Sequence, residues 1–73
     1  MKSSKEILGR MIKHHREKKG LTLDELAFRI GADRQYIWNL ENGRKNMSAN
    51  YLDRIIVGLE SNHECFLVNI YAN

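Results

Sequence analysis

Only two residues, Gly31 and Ala32, separate one helix-patterned segment from the next, and this junction constrains the chain more than any other feature. Upstream, Thr22 stands three residues before Glu25, the spacing at which a threonine hydroxyl and a glutamate carboxylate cap a helix start together. Leu23, Leu26, Ala27 and Ile30 follow at helical intervals. Downstream, Asp33 suits an N-cap, and Ile37 and Leu40 point one way along a helix that runs to about Asn42, where Gly43 offers a left-handed stop. A two-residue connection permits only a sharp turn, and the residue that makes it needs a positive φ, which glycine adopts at little cost. Ala27, one turn earlier, is small enough for the second helix to cross the first closely.

A small residue, a glycine turn and buried Ile and Leu at these offsets form, together, the helix-turn-helix pattern over residues 22–42. Three further segments flank it. The first spans residues 4–19, with Ser4 as the expected N-cap, a stripe of Ile7, Leu8, Met11, Ile12 and His15, and Gly20 as terminator. Ser48 caps another, whose stripe is Leu52, Ile55, Ile56 and Leu59. The last starts near Asn62 and holds Cys65, Phe66, Leu67, Val68, Ile70 and Tyr71. Its β-branched residues also suit a strand, but the cap and the four-residue spacing of Phe66 and Ile70 favour a helix. With no proline, linker or internal repeat, the expectation is one all-α domain over residues 1–73, a compact array of five short helices.

Composition narrows the function. A chain of 73 residues supports one small core, burying about 60% of its unfolded surface. A single cysteine rules out a disulfide framework and fits a reducing cytoplasm. No apolar run approaches the roughly 18 residues of a membrane span, and MKSSKE lacks the apolar stretch of a secretory signal, so a cytoplasmic protein is expected. His14 and His15 diverge by about 100° on a helix, as do His63 and Cys65 by their spacing, so no metal set forms. No serine has an evident base and no glycine-rich phosphate loop is present. The expectation is therefore no enzyme, no cofactor and no small-molecule ligand.

The charge is unevenly spread. Residues 1–20 hold seven Lys/Arg against two Glu, residues 44–54 hold three against one Asp, and residues 55–73 hold two Glu and no Lys or Arg. One end of the chain thus suits a polyanion. On the helix after the glycine turn, Arg34, Gln35, Trp38 and Asn39 share the arc opposite Ile37 and Leu40, with Tyr36 and Glu41 on the flanks. A merely solvated face is usually Lys and Glu; this one carries a forked cation, two amides and the only tryptophan. In a helix-turn-helix unit the second helix enters the DNA major groove. There Arg34 can pair with guanine O6 and N7, and Gln35 or Asn39 with adenine N6 and N7. Trp38 can pack on a thymine methyl or sugar edge. Phosphates fall to Asn42, Arg44, Lys45 and Asn46 in the following loop and to the helix starts at Thr22 and Ser48. Arg29 and Tyr36 stand at the groove edges. Lys18 and Lys19 read more simply as cations at a helix C-terminus.

The tail CFLVNIY holds more apolar surface than a small domain buries on itself, which points to a homodimer through residues 62–71; Phe66 closing the monomer core is the alternative.

Residues 7–60 resemble the Cro and repressor type of helix-turn-helix domain, also called the Xre family, through LTLDELA, IGADRQYIWNLENGR and YLDRIIVGL. Within it, DRQYIWNLENGRKN and GLESNHECFL are similar to the controller proteins of restriction–modification systems, small homodimeric transcription regulators. The resemblance implies a five-helix lambda-repressor-like fold and a double-stranded operator as partner. It makes Arg34 and Gln35 base readers with Tyr36 beside them, and Asn42, Arg44 and Asn46 backbone contacts. It places Phe66, Leu67 and Ile70 in the dimer contact, with Cys65 in the same run, and pairs Arg16 with Glu41 as a structural tie. Two positions depart: Leu23 stands where many members have Gln, and Trp38 where a small or polar residue is usual. A phage or plasmid Cro-like repressor, an antitoxin, or a protein-binding module on the same fold remain open alternatives.

Overall fold

A computed structural model of the chain describes residues 3–59. Four helices make up this part: α1 Ser4–Lys18, α2 Leu23–Ile30, α3 Arg34–Glu41 and α4 Ala49–Gly58, with no strand among the described residues. The expected fifth helix over residues 62–71, and with it Cys65, Phe66, Leu67 and Ile70, lies outside the described residues.

Each helix start is made by a side chain close in sequence. α1 begins one residue earlier than expected, with Ser3 rather than Ser4 as its cap. The reason is Glu6, which stands three residues after Ser3: the Glu6 N–H donates to the Ser3 hydroxyl, and the Ser3 N–H donates back to the Glu6 carboxylate, both at 3.3 Å. Thr22 and Glu25 form the same reciprocal box at α2. Asp33 accepts from the Tyr36 N–H at 2.7 Å and Ser48 from the Tyr51 N–H at 3.2 Å, capping α3 and α4. At the turn between α2 and α3, Gly31 has φ +71°, and the Ala32 N–H reaches back to the Ala27 carbonyl at 2.9 Å. Glycine is required there because a side chain in the left-handed region costs about 1–2 kcal/mol.

α2 and α3 are eight residues each, too short to persist alone, so packing must hold them. Met11 and Ile12 from α1, Leu26, Ala27 and Ile30 from α2, Ile37 and Leu40 from α3, and Ile55, Ile56 and Leu59 at α4 form one buried cluster, joined by Leu21. α3 packs on both α1 and α2, and α4 closes against α2. Ile7, Leu8 and Leu52 sit at the cluster's margin, half-buried.

The closest approach falls at Gly9, which the sequence reading passed over. A Cβ there would strike the Leu40 carbonyl and stand 2.8 Å from the Glu41 carbonyl. The backbone of α1 therefore lies directly on the last turn of α3. This contact, with the turn at Gly31, sets the direction in which α3 leaves the domain.

Candidate nucleic-acid interface

The end of α3 is anchored by a fork. Arg16 donates through Nε and Nη2 to the two carboxylate oxygens of Glu41, at 2.6 and 3.0 Å, and through Nη1 to the Leu21 carbonyl at 2.8 Å. The Glu41 side chain is 3% exposed and that of Arg16 11%. A planar guanidinium matched to a carboxylate is the strongest geometry for such a pair. The Glu41 hydrogen bond raises the Arg16 value further, against the pull of burial, and the guanidinium keeps its charge. Glu41, expected on a flank, is thus inside, tying α3 to α1 and to the start of α2.

Opposite this anchor, Arg34, Gln35 and Trp38 are exposed and line a shallow open depression. Asn39 is half-buried and accepts from the Gln35 amide across one helical turn, Nε2 to Oδ1 at 3.2 Å. The two amides are therefore one hydrogen-bonded pair rather than two independent groups. The Arg34 side chain makes no hydrogen bond or ion pair among the described residues.

Tyr36 turns the other way. It is half-buried against Tyr51, with ring centroids 4.8 Å apart. Burial, then the neighbouring Tyr51, pushes its hydroxyl above the usual phenol value despite Arg54, so it remains a neutral donor and acceptor. Asn42 donates its side-chain amide to the Trp38 carbonyl at 2.9 Å and closes the helix, and the Arg44 N–H donates to the Asn39 carbonyl at 2.9 Å. These bonds fold the loop back onto α3. The guanidinium of Arg44 then lies 5.3 Å from the Trp38 ring centroid, and the Lys45 ammonium 5.1 Å from that of Tyr36. Asn46 is exposed in the same loop, and the hydroxyls of Thr22 and Ser48 mark exposed N-termini of α2 and α4.

Arg29 does not belong to this surface. Its Nη1 donates to the Gly58 carbonyl at 2.9 Å, so it faces α4 instead of a groove edge. The physical reason is the unpaired carbonyls at the C-terminus of α4, which attract a cation. Arg54 does the same in reverse, donating to the Ile30 carbonyl at 2.6 Å at the end of α2. Sequence reading missed Arg54 and Tyr51 because both act between helices that are distant in the chain. Leu23 packs half-buried against the core, so the N-terminus of α2 carries an apolar side chain. No group of three metal-ligating side chains occurs among the described residues, and none of their helices is long and apolar enough to cross a membrane.

Two short helices joined through a left-handed glycine, with a polar outer face on the second, define a helix-turn-helix unit. The chain belongs to the helix-turn-helix domain family, whose model matches residues 7–64. A protein of Methanothermobacter thermautotrophicus described as an uncharacterized HTH-type transcriptional regulator is 43% identical over 53 residues, which are 73% of this chain and 77% of that relative. Among solved structures, the restriction–modification controller protein C.Esp1396I superposes with a TM-score of 0.89 at 29% identity, covering 97% of this chain and 95% of that one. It has also been crystallised as a tetramer in complex with its natural 35 base-pair operator. The clp gene regulator ClgR from Corynebacterium glutamicum superposes with a TM-score of 0.83 at 33% identity, covering 88% of this chain and 82% of its own.

Proposed function

We propose that this chain is a sequence-specific double-stranded DNA-binding transcription regulator that acts as a homodimer on a pseudo-palindromic operator. The observation that carries this reading is the outer face of α3: Arg34, Gln35 and Trp38 stand exposed on a helix whose other side is locked to α1 by Gly9 and by the Arg16–Glu41 fork. A rigid helix presenting a forked cation and an amide pair is suited to a major groove, where Arg34 reads guanine and the Gln35–Asn39 pair reads adenine. Trp38 flanks these readers. Arg44, Lys45, Asn42 and Asn46, with the α2 and α4 starts at Thr22 and Ser48, supply backbone contacts.

One such module reads few bases. Two, related by a two-fold axis through residues 62–71, read half-sites about one helical turn apart. The likeness to C.Esp1396I supports a narrower role, an autoregulating controller of a restriction–modification operon. Selection from a random duplex pool at near-physiological salt tests the core of the proposal. An enriched inverted repeat with guanine at matched places in both half-sites is expected. Salt-sensitive retention with no enrichment overturns sequence-specific binding and turns attention to protein partners. For the narrower role, the duplex upstream of the chain's own gene should compete for binding as well as the selected site does.

A further inference from the structure

We infer that Trp38 is a positioning residue for Arg44, so that the helix that reads bases also sets where a backbone-gripping charge stands. This rests on the DNA reading above. The Arg44 guanidinium lies 5.3 Å from the Trp38 ring centroid, within the range of about 6 Å at which a ring face attracts a cation. The stacking is built in from both ends. The Arg44 N–H is bonded to the Asn39 carbonyl, and the Trp38 carbonyl accepts from the Asn42 side chain.

A ring differs from a carboxylate in what it leaves free. Arg16, held by Glu41 and Leu21, spends its donors inside the protein. Arg44, held by the face of an indole, keeps its full charge and its N–H donors for phosphate oxygens. A long cationic side chain normally loses much of its rotamer freedom when it grips a ligand; a stacked one has already given up part of that freedom. Trp38 is 38% exposed, and the face turned to Arg44 is occupied, so that face supports its neighbour. Lys45 over Tyr36 repeats the geometry one residue further along the loop.

The test uses the full chain, the selected operator duplex and a scrambled duplex of equal length, with variants Trp38→Leu, Trp38→Phe, Arg44→Ala and the double variant Trp38→Leu/Arg44→Ala. Thermal melts confirm that each is folded. Trp38→Leu should weaken both duplexes alike, by about two- to fivefold, and lower the salt slope toward that of Arg44→Ala, about one less than the parent. Trp38→Phe, which keeps a ring, should recover most of the loss, and in the Arg44→Ala background Trp38→Leu should cost nothing more. An equal loss in both backgrounds, or relaxed preference at a single base pair with an unchanged slope, overturns the positioning role and makes Trp38 a direct reader.

A DNA-free measurement separates the two layers of the inference. Trp38 is the chain's only tryptophan, so Arg44→Ala should change the intrinsic fluorescence of the free protein. Unchanged emission overturns the stacking. Changed emission in a parent chain that binds neither duplex overturns the DNA reading, and Trp38's role in phosphate contact with it.

Discussion

The two faces of α3 are built on opposite principles. Its inner face is closed: Ile37, Leu40 and Glu41 are buried, α1 touches its backbone at Gly9, and the only charge on it is matched by a bidentate partner. Its outer face is held loosely, by one amide pair and by cations stacked on rings, with Arg34 and Trp38 open to solvent. Backbone contact and buried charge fix an angle; the exposed forks and amides are left free at that angle. Substitutions on the inner face should therefore change stability, and those on the outer face should change binding while leaving the fold intact.

The sharpest break in that division is expected at Gly9. In Gly9→Ala the new methyl meets carbonyls of the α3 backbone, which cannot rotate aside, so overpacking should cost about 3 kcal/mol or more. Urea denaturation would measure it, and a midpoint equal to the parent's would mean that α1 does not rest on α3 as described. Next comes Glu41→Ala. It strands a largely buried guanidinium, and the expected loss is about 2–3 kcal/mol, below the cost for a fully enclosed pair because Arg16 still reaches solvent. A double variant, Arg16→Met/Glu41→Leu, should recover much of that stability, since the penalty comes from the unpaired charge.

Arg34→Ala sharpens the comparison from the other side. Binding to the selected operator should weaken by about 1–3 kcal/mol, with preference relaxed at one base pair and the melting temperature unmoved. A lowered melting temperature would move Arg34 to the structural side of the helix. Gly31→Ala lies between the two faces, because the strain at φ +71° should cost about 1 kcal/mol of stability while every outer-face side chain is kept.

The smallest effect expected is one of pH. The Thr22 backbone N–H, donating at 2.9 Å, and then the Thr22 hydroxyl, hold the exposed Glu25 carboxyl below its ordinary value. A carboxyl lowered on folding adds stability that is complete above its unfolded value and is lost as pH falls through the folded one. Glu25→Gln should therefore flatten the acid limb of the stability curve slightly, which melts across the carboxylate range would reveal. An acid limb as steep as the parent's would remove Glu25 from the helix cap.

Much of the molecule is legible in the sequence alone. The caps at Thr22, Asp33 and Ser48, the left-handed glycines, and the buried Ile37 and Leu40 all follow from signals within four residues along the chain, the range over which a helix end or a helix face is decided. Even the misplaced cap of α1 was correctable locally, because Ser3 and Glu6 carry the full capping-box spacing and Ser4 does not. Arg16–Glu41 came only through family resemblance, since nothing local connects residues 25 apart.

What the tertiary structure alone decided concerns which helices meet. Gly9 reads as an indifferent small residue until α3 is laid across it. Arg29 reads as a groove-edge cation until the carbonyls at the end of α4 claim it. Tyr36 reads as a base reader's neighbour until Tyr51 arrives from α4 to half-bury it. For the four described helices, the sequence by itself determined where each begins and ends and which apolar residues it turns inward, because hydrogen bonds and side-chain periodicity act over a single turn. The crossing angle of α3, and with it the side chains left free on its outer face, was decided only when distant backbones and charges were brought within a few ångströms, where sterics and Coulomb attraction take effect.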